Sequence, residues 1–377
     1  MINEVYIYRN GQKMRCGYTT GSCATGAVKA SAEMLFTGKP VKTVNVMTPK
    51  GILLELEVND AKISDSVSCC VVKDGGDDPD ATDGMKIYAK VSLISDGVEI
   101  SGGEGIGIVT KAGLDQPVGE WAINSVPRKM IKSALTETAE KYGYSGGFSV
   151  VIYAPDGRII ALKTYNSHMG IEGGISIIGT SGIVEPMSNS AIIETIRAEA
   201  RMKYLSGERN MLITLGNYGK VFLENEMPFL AEKSIKCSNF IGDAIEIGLE
   251  MNYENILIIG HIGKLVKLGA GIMNTHSSCA DGRMDILVTC GVLAGINADI
   301  LQKIPYCATV DSALDILKES GFFWRTMKIL SEKAQYYLNL KVYNKINIGV
   351  IMFSYKHKTL VRTYNANKII QNMIERM

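Results

Sequence analysis

The feature that most constrains the fold is a change in the spacing of apolar runs after residue 165. Before it, short aliphatic runs are separated by turn signals such as Thr48-Pro49-Lys50-Gly51, which favour hairpins. From Gly173 onward, apolar runs alternate with helical segments, which predicts parallel strands joined by crossover helices. We therefore predict a mixed α/β protein with an N-terminal α+β domain of mainly antiparallel strands (residues 1–168) and a C-terminal α/β domain with a largely parallel sheet (residues 169–377).

The same periodicities predict individual elements. In the first domain we expect strands at residues 41–47, 52–58, 67–73, 85–94, 148–154 and 159–164, and a helix from Pro127 to about residue 142. In the second we expect strands at 175–179, 211–216, 235–238 and 256–260, helices at 188–205, 241–251, 310–321 and 322–340, and a closing strand pair at 346–353 and 359–364. The loops 180–187, 216–219 and 261–264 would then share the rim at the carboxyl ends of the parallel strands.

Residues 15–26 combine hydroxyls and glycines directly before an apolar-periodic segment. This pattern predicts a helix start with free amide N–H groups, which is suited to a carboxylate or phosphate. The alternative is an ordinary capped helix. The candidate substrate-binding residues of this stretch are Arg15, Thr19, Thr20, Ser22 and Thr25.

Residues 74–84 carry five carboxylates between two predicted strands. A calcium loop is disfavoured because flanking helices and a closing glutamate are missing. The remaining readings are a solvated acidic turn and a catalytic loop, in which crowding raises a carboxylate pKa. In the second reading Asp77 or Asp78 orients a ligand N–H or accepts a proton.

Two further stretches of the first domain contain possible ligand contacts. The glycines of residues 102–107 lack the strand–helix context of a phosphate loop and favour a close backbone approach to a flat ligand, or a β-bulge. Arg128 and Lys129, behind Pro127 at a helix start, are candidate partners of a substrate carboxylate. Exposed surface cations are the alternative for this pair.

The predicted strand ends of the second domain supply the candidate cofactor-binding residues. These are Gly179, Thr180, Ser181, Gly182, Gly216, Asn217 and Gly260. His261 could titrate near neutral pH and is a third catalytic candidate, although a lone histidine is more often structural. The polar stretch 275–283 adds His276, Asp281 and Arg283 as rim residues.

Charge and composition exclude several classes of function. A formal net charge of +1 over 377 residues gives no general attraction for nucleic acid or an acidic membrane surface. The eight cysteines and four histidines (His168, His261, His276 and His357) show no metal-ligand spacing, so we expect reduced thiols and no protein-bound metal. We find no apolar span or basic leader and expect a cytoplasmic protein with no membrane partner.

Six ordered blocks of the sequence resemble the CbiD family, the cobalt-precorrin-5B C1-methyltransferases of anaerobic cobalamin synthesis. The blocks are residues 15–31, 72–84, 102–107, 120–131, 173–188 and 260–265. The resemblance implies methyl transfer from S-adenosylmethionine, as co-substrate, to C1 of a cobalt-corrinoid precursor, cobalt-precorrin-5B, giving cobalt-precorrin-6A. The sequence does not give the oligomeric state, and a homo-oligomer is one of the open alternatives.

A flat macrocycle with acidic side chains needs apolar walls and edge donors, so we expect it on the first domain and the methyl donor on the second. The chemistry needs positioning rather than a covalent protein nucleophile, which fits the lack of a catalytic triad pattern. Two alternatives remain open at this point: a nucleotide- or phosphate-dependent enzyme, and a non-catalytic tetrapyrrole-binding protein.

Overall fold

The computed structural model describes residues 5–9, 11–167 and 169–375. His168 therefore lies outside the described residues. The chain forms two compact units, residues 1–189 and 190–377, and each is described by itself. Of the helices in the described part of the chain, none combines the length and apolar character that crossing a membrane requires.

The first unit contains thirteen strands and three helices among its described residues. The strands are β1 Tyr6–Arg9, β2 Gln12–Arg15, β3 Gly17–Tyr18, β4 Thr43–Met47, β5 Leu53–Glu57, β6 Asn59–Ile63, β7 Val67–Val72, β8 Lys86–Ile94, β9 Val98–Gly102, β10 Ile108–Val109, β11 Gly147–Tyr153, β12 Ile171–Glu172 and β13 Ile183–Val184. The helices are α1 Thr20–Thr37, α2 Ser125–Tyr142 and α3 Gly157–Ala161.

The main sheet of this unit has five strands in the order β6-β7-β8-β11-β9. All neighbouring pairs are antiparallel except β11 and β9, which are parallel. Helix α1 packs on β7 and β8 and beside α2. Small buried side chains such as Ala27 and Ala30 allow this close approach, and Ser31 Oγ donates to Ala89 O of β8 at 3.2 Å. The predicted mainly antiparallel α+β architecture is confirmed.

Two predicted strands of this region are wrong. The segment predicted at 159–164 overlaps α3, because Asp156 O accepts the amides of both Ile159 and Ile160 and starts a helical turn. The segment predicted at 175–179 forms only isolated bridges, Ile106 to Ile175 and Ile123 to Ile177. Its buried isoleucines complete the core of the first unit instead of opening a parallel sheet.

The second unit contains five strands and ten α-helices among its described residues. The strands are β14 Asn210–Thr214, β15 Ser234–Lys236, β16 Asn255–His261, β17 Asn347–Ser354 and β18 Lys358–Arg362. The helices are α4 Asn189–Leu205, α5 Gly216–Glu226, α6 Pro228–Ala231, α7 Ile241–Glu250, α8 Ile262–Leu265, α9 Arg283–Ala294, α10 Ala298–Leu301, α11 Val310–Glu319, α12 Phe323–Lys341 and α13 Tyr364–Glu375, with short 3-10 turns at Val266–Ala270 and Ile304–Tyr306.

These strands form one sheet in the order β15-β14-β16-β17-β18. The first four strands are parallel and β18 is antiparallel, as the sequence predicts. Alternate residues of each central strand face opposite sides, so Ile258 packs with α7, α9 and α12, whereas Leu257 packs with α5, α6 and α13. The unit is therefore a sheet covered by helices on both faces.

Candidate functional site

The N-terminus of α1 is closed by another segment of the first unit. Thr19 caps the helix, and its Oγ1 accepts the amide of Ser22 at 3.2 Å. The amide of Gly21 donates to Ile178 O at 2.9 Å. The predicted helix start is confirmed, but the expectation of free amides is wrong for Gly21 and Ser22, because their hydrogen bonds are made within the chain.

The hydroxyls that follow are also buried and bonded. Thr20 Oγ1 accepts the amide of Ile178 at 2.9 Å, and Ser22 Oγ donates to Gly182 O at 2.7 Å. Thr25 Oγ1 donates to the carbonyl one turn earlier at 2.8 Å. These groups fasten α1 to the segment around residues 178–182, and substrate binding by Thr19, Thr20, Ser22 and Thr25 stays a prediction.

The acidic loop after β7 is held by its own carboxylates. Asp74 forms an ion pair with Arg15, and a second bond from Arg15 Nη2 reaches Asp74 Oδ1 at 2.8 Å. Asp77 Oδ2 accepts the amide of Arg15 at 2.6 Å, and Asp78 Oδ1 accepts the amide of Met187 at 2.9 Å. The bonds from Arg15 hold the pKa of Asp74 below its usual value, so the expected rise of pKa by crowding is wrong for this residue. Catalysis by Asp77 or Asp78 stays a prediction.

The remaining two carboxylates close the same loop. Asp80 accepts from the buried Lys73 ammonium at 2.5 Å and from Thr82, while Asp83 Oδ1 accepts the amide of Gly75 at 2.7 Å. Burial of Asp80 would raise its pKa, but the bonds from Lys73 and Thr82 outweigh it and the pKa is lowered. All five carboxylates of the loop therefore have partners inside the first unit.

Arg128 and Lys129 differ in what they offer a ligand. Arg128 Nε donates to Ile123 O at 2.8 Å and Nη1 donates to Ile100 O at 3.1 Å. Its Nη2 is buried and has no hydrogen-bond partner among the described residues, whereas Lys129 is exposed. A two-pronged grip on a carboxylate by Arg128 would need these bonds to change. Carboxylate binding by the pair stays a prediction.

The glycines at 179–182 lie in the first unit, because β13 pairs with β3. A Cβ on Gly179 would overlap Thr19 Oγ1, and one on Gly182 would overlap Thr48. Thr180 is exposed and Ser181 Oγ donates to Ile183 O at 2.9 Å. The expectation that loop 180–187 follows a strand of the parallel sheet is therefore wrong. Cofactor binding by Gly179, Thr180, Ser181 and Gly182 stays a prediction.

The glycines at 102–107 also lie where a side chain would overlap neighbouring atoms of the first unit. A Cβ on Gly105 would overlap Ala154 O, and one on Gly102 would overlap the ring of Trp121. Gly105 also has a positive φ of +75°, which favours glycine. The close approach predicted for this stretch is to its own unit's backbone and side chains.

The second unit has a crevice at the carboxyl ends of β14 and β16. The chain leaves β14 into α5, whose Phe222 and Leu223 pack on one face of the sheet. It leaves β16 into α8, whose Ile262 and Leu265 pack on the other face. Neighbouring parallel strands whose connections depart to opposite faces create the opening where such sheets bind ligands. We call this opening the switch-point crevice.

Three of the predicted cofactor-binding residues lie at the switch-point crevice. Gly216 begins α5 directly after β14 with a φ of +64°. Asn217 Oδ1 accepts from Lys236 Nζ, at the end of β15, at 2.7 Å. Gly260 is the residue before the last in β16, and a Cβ at this position would press on Leu265 of α8. The predicted shared rim of loops 216–219 and 261–264 is thus present, and binding by these residues stays a prediction.

His261 ends β16, and its ring lies between the amide of Gly263 and the carboxylate of Asp311. Its Nδ1 accepts the amide of Gly263 at 3.1 Å, so the neutral ring carries its proton on Nε2. Nε2 lies 3.8 Å from Asp311 Oδ2, and Ser354 Oγ donates to the other Asp311 oxygen. Burial lowers the pKa of His261, and the Asp311 charge opposes this effect. The arrangement suits a positioning residue, and the predicted catalytic role stays a prediction.

Aromatic rings surround His261. The ring centroids of Tyr218 in α5 and Tyr355 after β17 are 5.6 Å apart. The centroid of the His261 ring lies 6.4 Å from that of Tyr218 and 5.9 Å from that of Tyr355. Phe353 lies below them, with its centroid 5.8 Å from His261. Tyr218 is 63% exposed and Tyr355 is 58% exposed. This end of the crevice therefore presents uncovered aromatic surface.

The other end of the crevice carries lysines with neutral partners. Lys264 Nζ donates to Asn239 Oδ1 at 2.8 Å. The buried Lys267 ammonium donates only to carbonyl oxygens, of Thr275 at 3.1 Å and Ala280 at 2.6 Å. Partial burial lowers the pKa of Lys264. Among the described residues neither ammonium has a carboxylate partner, so this end favours an anion.

The polar stretch 275–283 adjoins this lysine end. Thr275 Oγ1 donates to Asn239 Oδ1 at 3.2 Å. The other predicted rim residues pair locally, with His276 Nδ1 2.7 Å from Ser278 Oγ and Arg283 bound to Asp281 through bonds of 2.6 and 2.7 Å. Within the described ranges, no group of three or more His, Cys, Asp or Glu side chains could hold a metal ion.

Comparison with known proteins identifies the family. The sequence model of CbiD matches residues 7–186, and that of the CbiD C-terminal domain matches residues 274–364. A cobalt-precorrin-5B C(1)-methyltransferase of Ruminiclostridium cellulolyticum is 49% identical over 352 residues, covering 93% of this chain and 92% of that protein. The chain belongs to the CbiD family. A protein of the same name from Clostridium perfringens is 40% identical over 367 residues, covering 97% of this chain and 99% of that protein.

A solved structure, the crystal structure of the cobalamin biosynthesis protein CbiD from Archaeoglobus fulgidus, is 28% identical. It covers 74% of this chain and 87% of its own, with a TM-score of 0.40. The resemblance to the CbiD family stated from six sequence blocks is confirmed by the family match and by the relatives above.

Sequence reasoning missed several residues of the crevice in this CbiD chain. These are Tyr218, Lys236, Asn239, Asp311, Ser354 and Tyr355. A signal for two of them was present, because Tyr218 and Tyr355 each follow a predicted buried strand, at the position where a parallel sheet exposes side chains to its crevice. The others come from segments that only the folded sheet brings together.

Proposed function

We propose that this protein transfers a methyl group from S-adenosylmethionine to C1 of cobalt-precorrin-5B, giving cobalt-precorrin-6A, in anaerobic cobalamin biosynthesis. The observation that carries the proposal is the 49% identity with a named cobalt-precorrin-5B C(1)-methyltransferase over 93% of the chain. The name of that relative implies a methyl donor, and S-adenosylmethionine is our proposal for it.

The reaction needs little covalent chemistry from the protein. The donor's methyl–sulfur bond breaks with its electron pair left on sulfur, the ring supplies the pair for the new carbon–carbon bond, and a proton leaves the ring. The protein must hold the reacting atoms in line and exclude water, which contributes much of the rate in such transfers. No residue needs to become a covalent nucleophile.

The switch-point crevice is the site we propose for the donor. It has the position where open parallel sheets bind cofactors, with Gly216, Asn217 and Gly260 at its edge. It also has the chemistry that the donor needs: aromatic surface at Tyr218 and Tyr355, and unneutralised lysines at the opposite end.

The proposed role of His261 is to position the crevice wall. Its Nδ1 accepts the amide of Gly263 at the start of α8, and the Asp311 carboxylate lies 3.8 Å from Nε2. Because Nδ1 accepts this bond and Nε2 carries the proton, the neutral ring has no free lone pair for a substrate proton. A proton acceptor elsewhere, or bulk water, completes the reaction in this proposal.

The first unit remains the proposed macrocycle-binding part. This proposal is supported by Arg128 and Lys129, which can donate hydrogen bonds to carboxylates. Because the net charge of the chain is only +1, an acidic ring must be bound by such a local group of cations. The cytoplasmic location and a homo-oligomeric state likewise stay proposals.

The decisive experiment incubates the purified protein with cobalt-precorrin-5B and methyl-labelled S-adenosylmethionine, then measures the mass of the ring. We expect the label in the ring and S-adenosylhomocysteine as co-product. A ring that co-purifies but gains no label would instead identify a tetrapyrrole-binding protein. A thermal-shift response to nucleotides and none to S-adenosylhomocysteine would identify a nucleotide-dependent enzyme.

A further inference from the structure

The switch-point crevice carries two exposed tyrosine rings and a lysine with a neutral acceptor, and these groups suit different parts of the proposed donor. Resting on the proposed function, we infer that the adenine ring of the donor lies against Tyr218 and Tyr355, and that its amino-acid carboxylate lies at Lys264. This assigns ligand contacts to three residues that the family relationship does not assign.

The aromatic end fits a purine. Tyr218 and Tyr355 are inclined at 77° with centroids 5.6 Å apart, so together they form a corner of two exposed rings. The stacked pair of Phe222 and Phe353, with centroids 4.2 Å apart, supports this corner from the core side. Without a ligand the faces of this tyrosine pair are exposed to water. A flat heteroaromatic ring placed in the corner would stack on them and bury this surface.

The lysine end fits a carboxylate. Lys264 donates to the side-chain oxygen of Asn239, which is a neutral acceptor. A neutral amide leaves the charge of an ammonium uncompensated, and the ammonium retains donors for a second partner. A carboxylate placed beside Lys264 would form a charge-assisted hydrogen bond that the amide does not supply.

The reverse direction would leave the ammonium of Lys264 without an anionic partner. The carboxylate would then lie beside Asp311, whose side chain is 33% exposed next to His261. The uncharged adenine would lie beside Lys264 and gain nothing from its charge.

The test measures binding by titration calorimetry with two ligands. S-Adenosylhomocysteine has both the adenine and the amino-acid carboxylate, and 5′-methylthioadenosine has the adenine but lacks the carboxylate. We expect Lys264→Met to weaken S-adenosylhomocysteine about tenfold to a hundredfold, the loss typical of a hydrogen bond to a charged group, and to leave 5′-methylthioadenosine within about twofold. Tyr218→Ala should weaken both ligands by the same factor of about ten.

A matched control is Lys220→Met, which removes a lysine that lies on the same helix as Tyr218 and pairs with Glu224 at 3.9 Å. It should change neither affinity. Lys264→Gln, which keeps a hydrogen-bond donor but loses the charge, should behave like Lys264→Met. Circular dichroism and thermal melting of each variant exclude a general loss of folding.

Equal weakening of both ligands by Lys264→Met, or no weakening of either, would overturn the orientation while S-adenosylhomocysteine binding by the unaltered protein still supports the donor site. No binding of S-adenosylhomocysteine by the unaltered protein would overturn the donor site itself. A loss of ATP binding in Lys264→Met with S-adenosylhomocysteine unaffected would reassign the lysine end to phosphate and overturn the orientation.

Discussion

Replacing Thr20 by valine tests whether the hydroxyls at the start of α1 serve the fold or a ligand. Thr20 is buried, and its Oγ1 accepts the amide of Ile178 at 2.9 Å and lies 3.3 Å from the carbonyls of Ser176 and Ile178. Valine has nearly the same shape but offers neither a donor nor an acceptor. Thr20→Val therefore leaves the Ile178 amide without its partner inside the protein.

The cost follows from these contacts. An unpaired buried amide costs about 1–3 kcal/mol, and losing the bond that the hydroxyl donates costs about 0.5–1.5 kcal/mol. The buried methyl of valine returns about 0.8 kcal/mol. We expect Thr20→Val to lower the free energy of unfolding of the first unit by about 1–3 kcal/mol.

The assay must report on the first unit alone. The protein has two tryptophans, Trp121 in the first unit and Trp324 in the second, and Trp324 is 67% exposed. In a Trp324→Phe background, urea unfolding followed by tryptophan fluorescence reports on Trp121 and hence on the first unit. The matched control is Thr136→Val, an exposed helical threonine whose hydroxyl donates one turn back at 3.0 Å, with an expected change below about 0.5 kcal/mol.

Equal unfolding free energies for Thr20→Val and Thr136→Val would refute the structural role of the Thr20 hydroxyl. If cobalt-precorrin-5B binding then fell only in Thr20→Val, the hydroxyl would be a ligand contact, as the sequence predicts. A loss of stability with unchanged ring affinity supports the reading from the structure.

Two further substitutions test other parts of the structure. Gly179→Ala should destabilise the first unit by about 2 kcal/mol or more beyond Gly173→Ala. Both glycines have a positive φ, of +143° and +83°, but a Cβ on Gly179 would overlap Thr19, whereas one on Gly173 would meet open space. Similar urea midpoints for the two variants would contradict this. Asp311→Asn should lower the pKa of His261 further, because the Asp311 charge opposes the effect of burial; an NMR titration showing an unchanged or higher pKa would contradict the assigned contact.

The second unit shows which parts of the fold could be predicted. Strands β14 and β16 have runs of residues that are buried on both faces, and such runs are visible in the sequence without knowledge of their partners. Their alternation with helices then requires parallel pairing. The prediction therefore reached the crevice-forming loops after Thr214 and Gly260.

The failure at residues 175–179 has a physical cause, which is that the deciding partner is far away in the sequence. Ile175 and Ile177 have the spacing of a strand, but they bridge to Ile106 and Ile123. Nothing near residue 175 in the chain indicates these partners. The same limit applies to Tyr218 and Tyr355, whose rings meet only because β14, β16 and β17 are neighbours in the sheet.

Glycine and hydroxyl motifs are ambiguous for a further reason. A stretch such as residues 178–182 can approach a phosphate closely, or it can approach another part of its own backbone, and both uses require small side chains and N–H groups. The distinction depends on whether those groups already have partners. In the first unit these groups already have partners, because Thr20 Oγ1 accepts the amide of Ile178 and Ser22 Oγ donates to the carbonyl of Gly182. Among the described residues, the ammonium of Lys264 in the switch-point crevice donates to a neutral acceptor, Asn239, so an anionic ligand would gain a charge-assisted bond there that the fold does not supply.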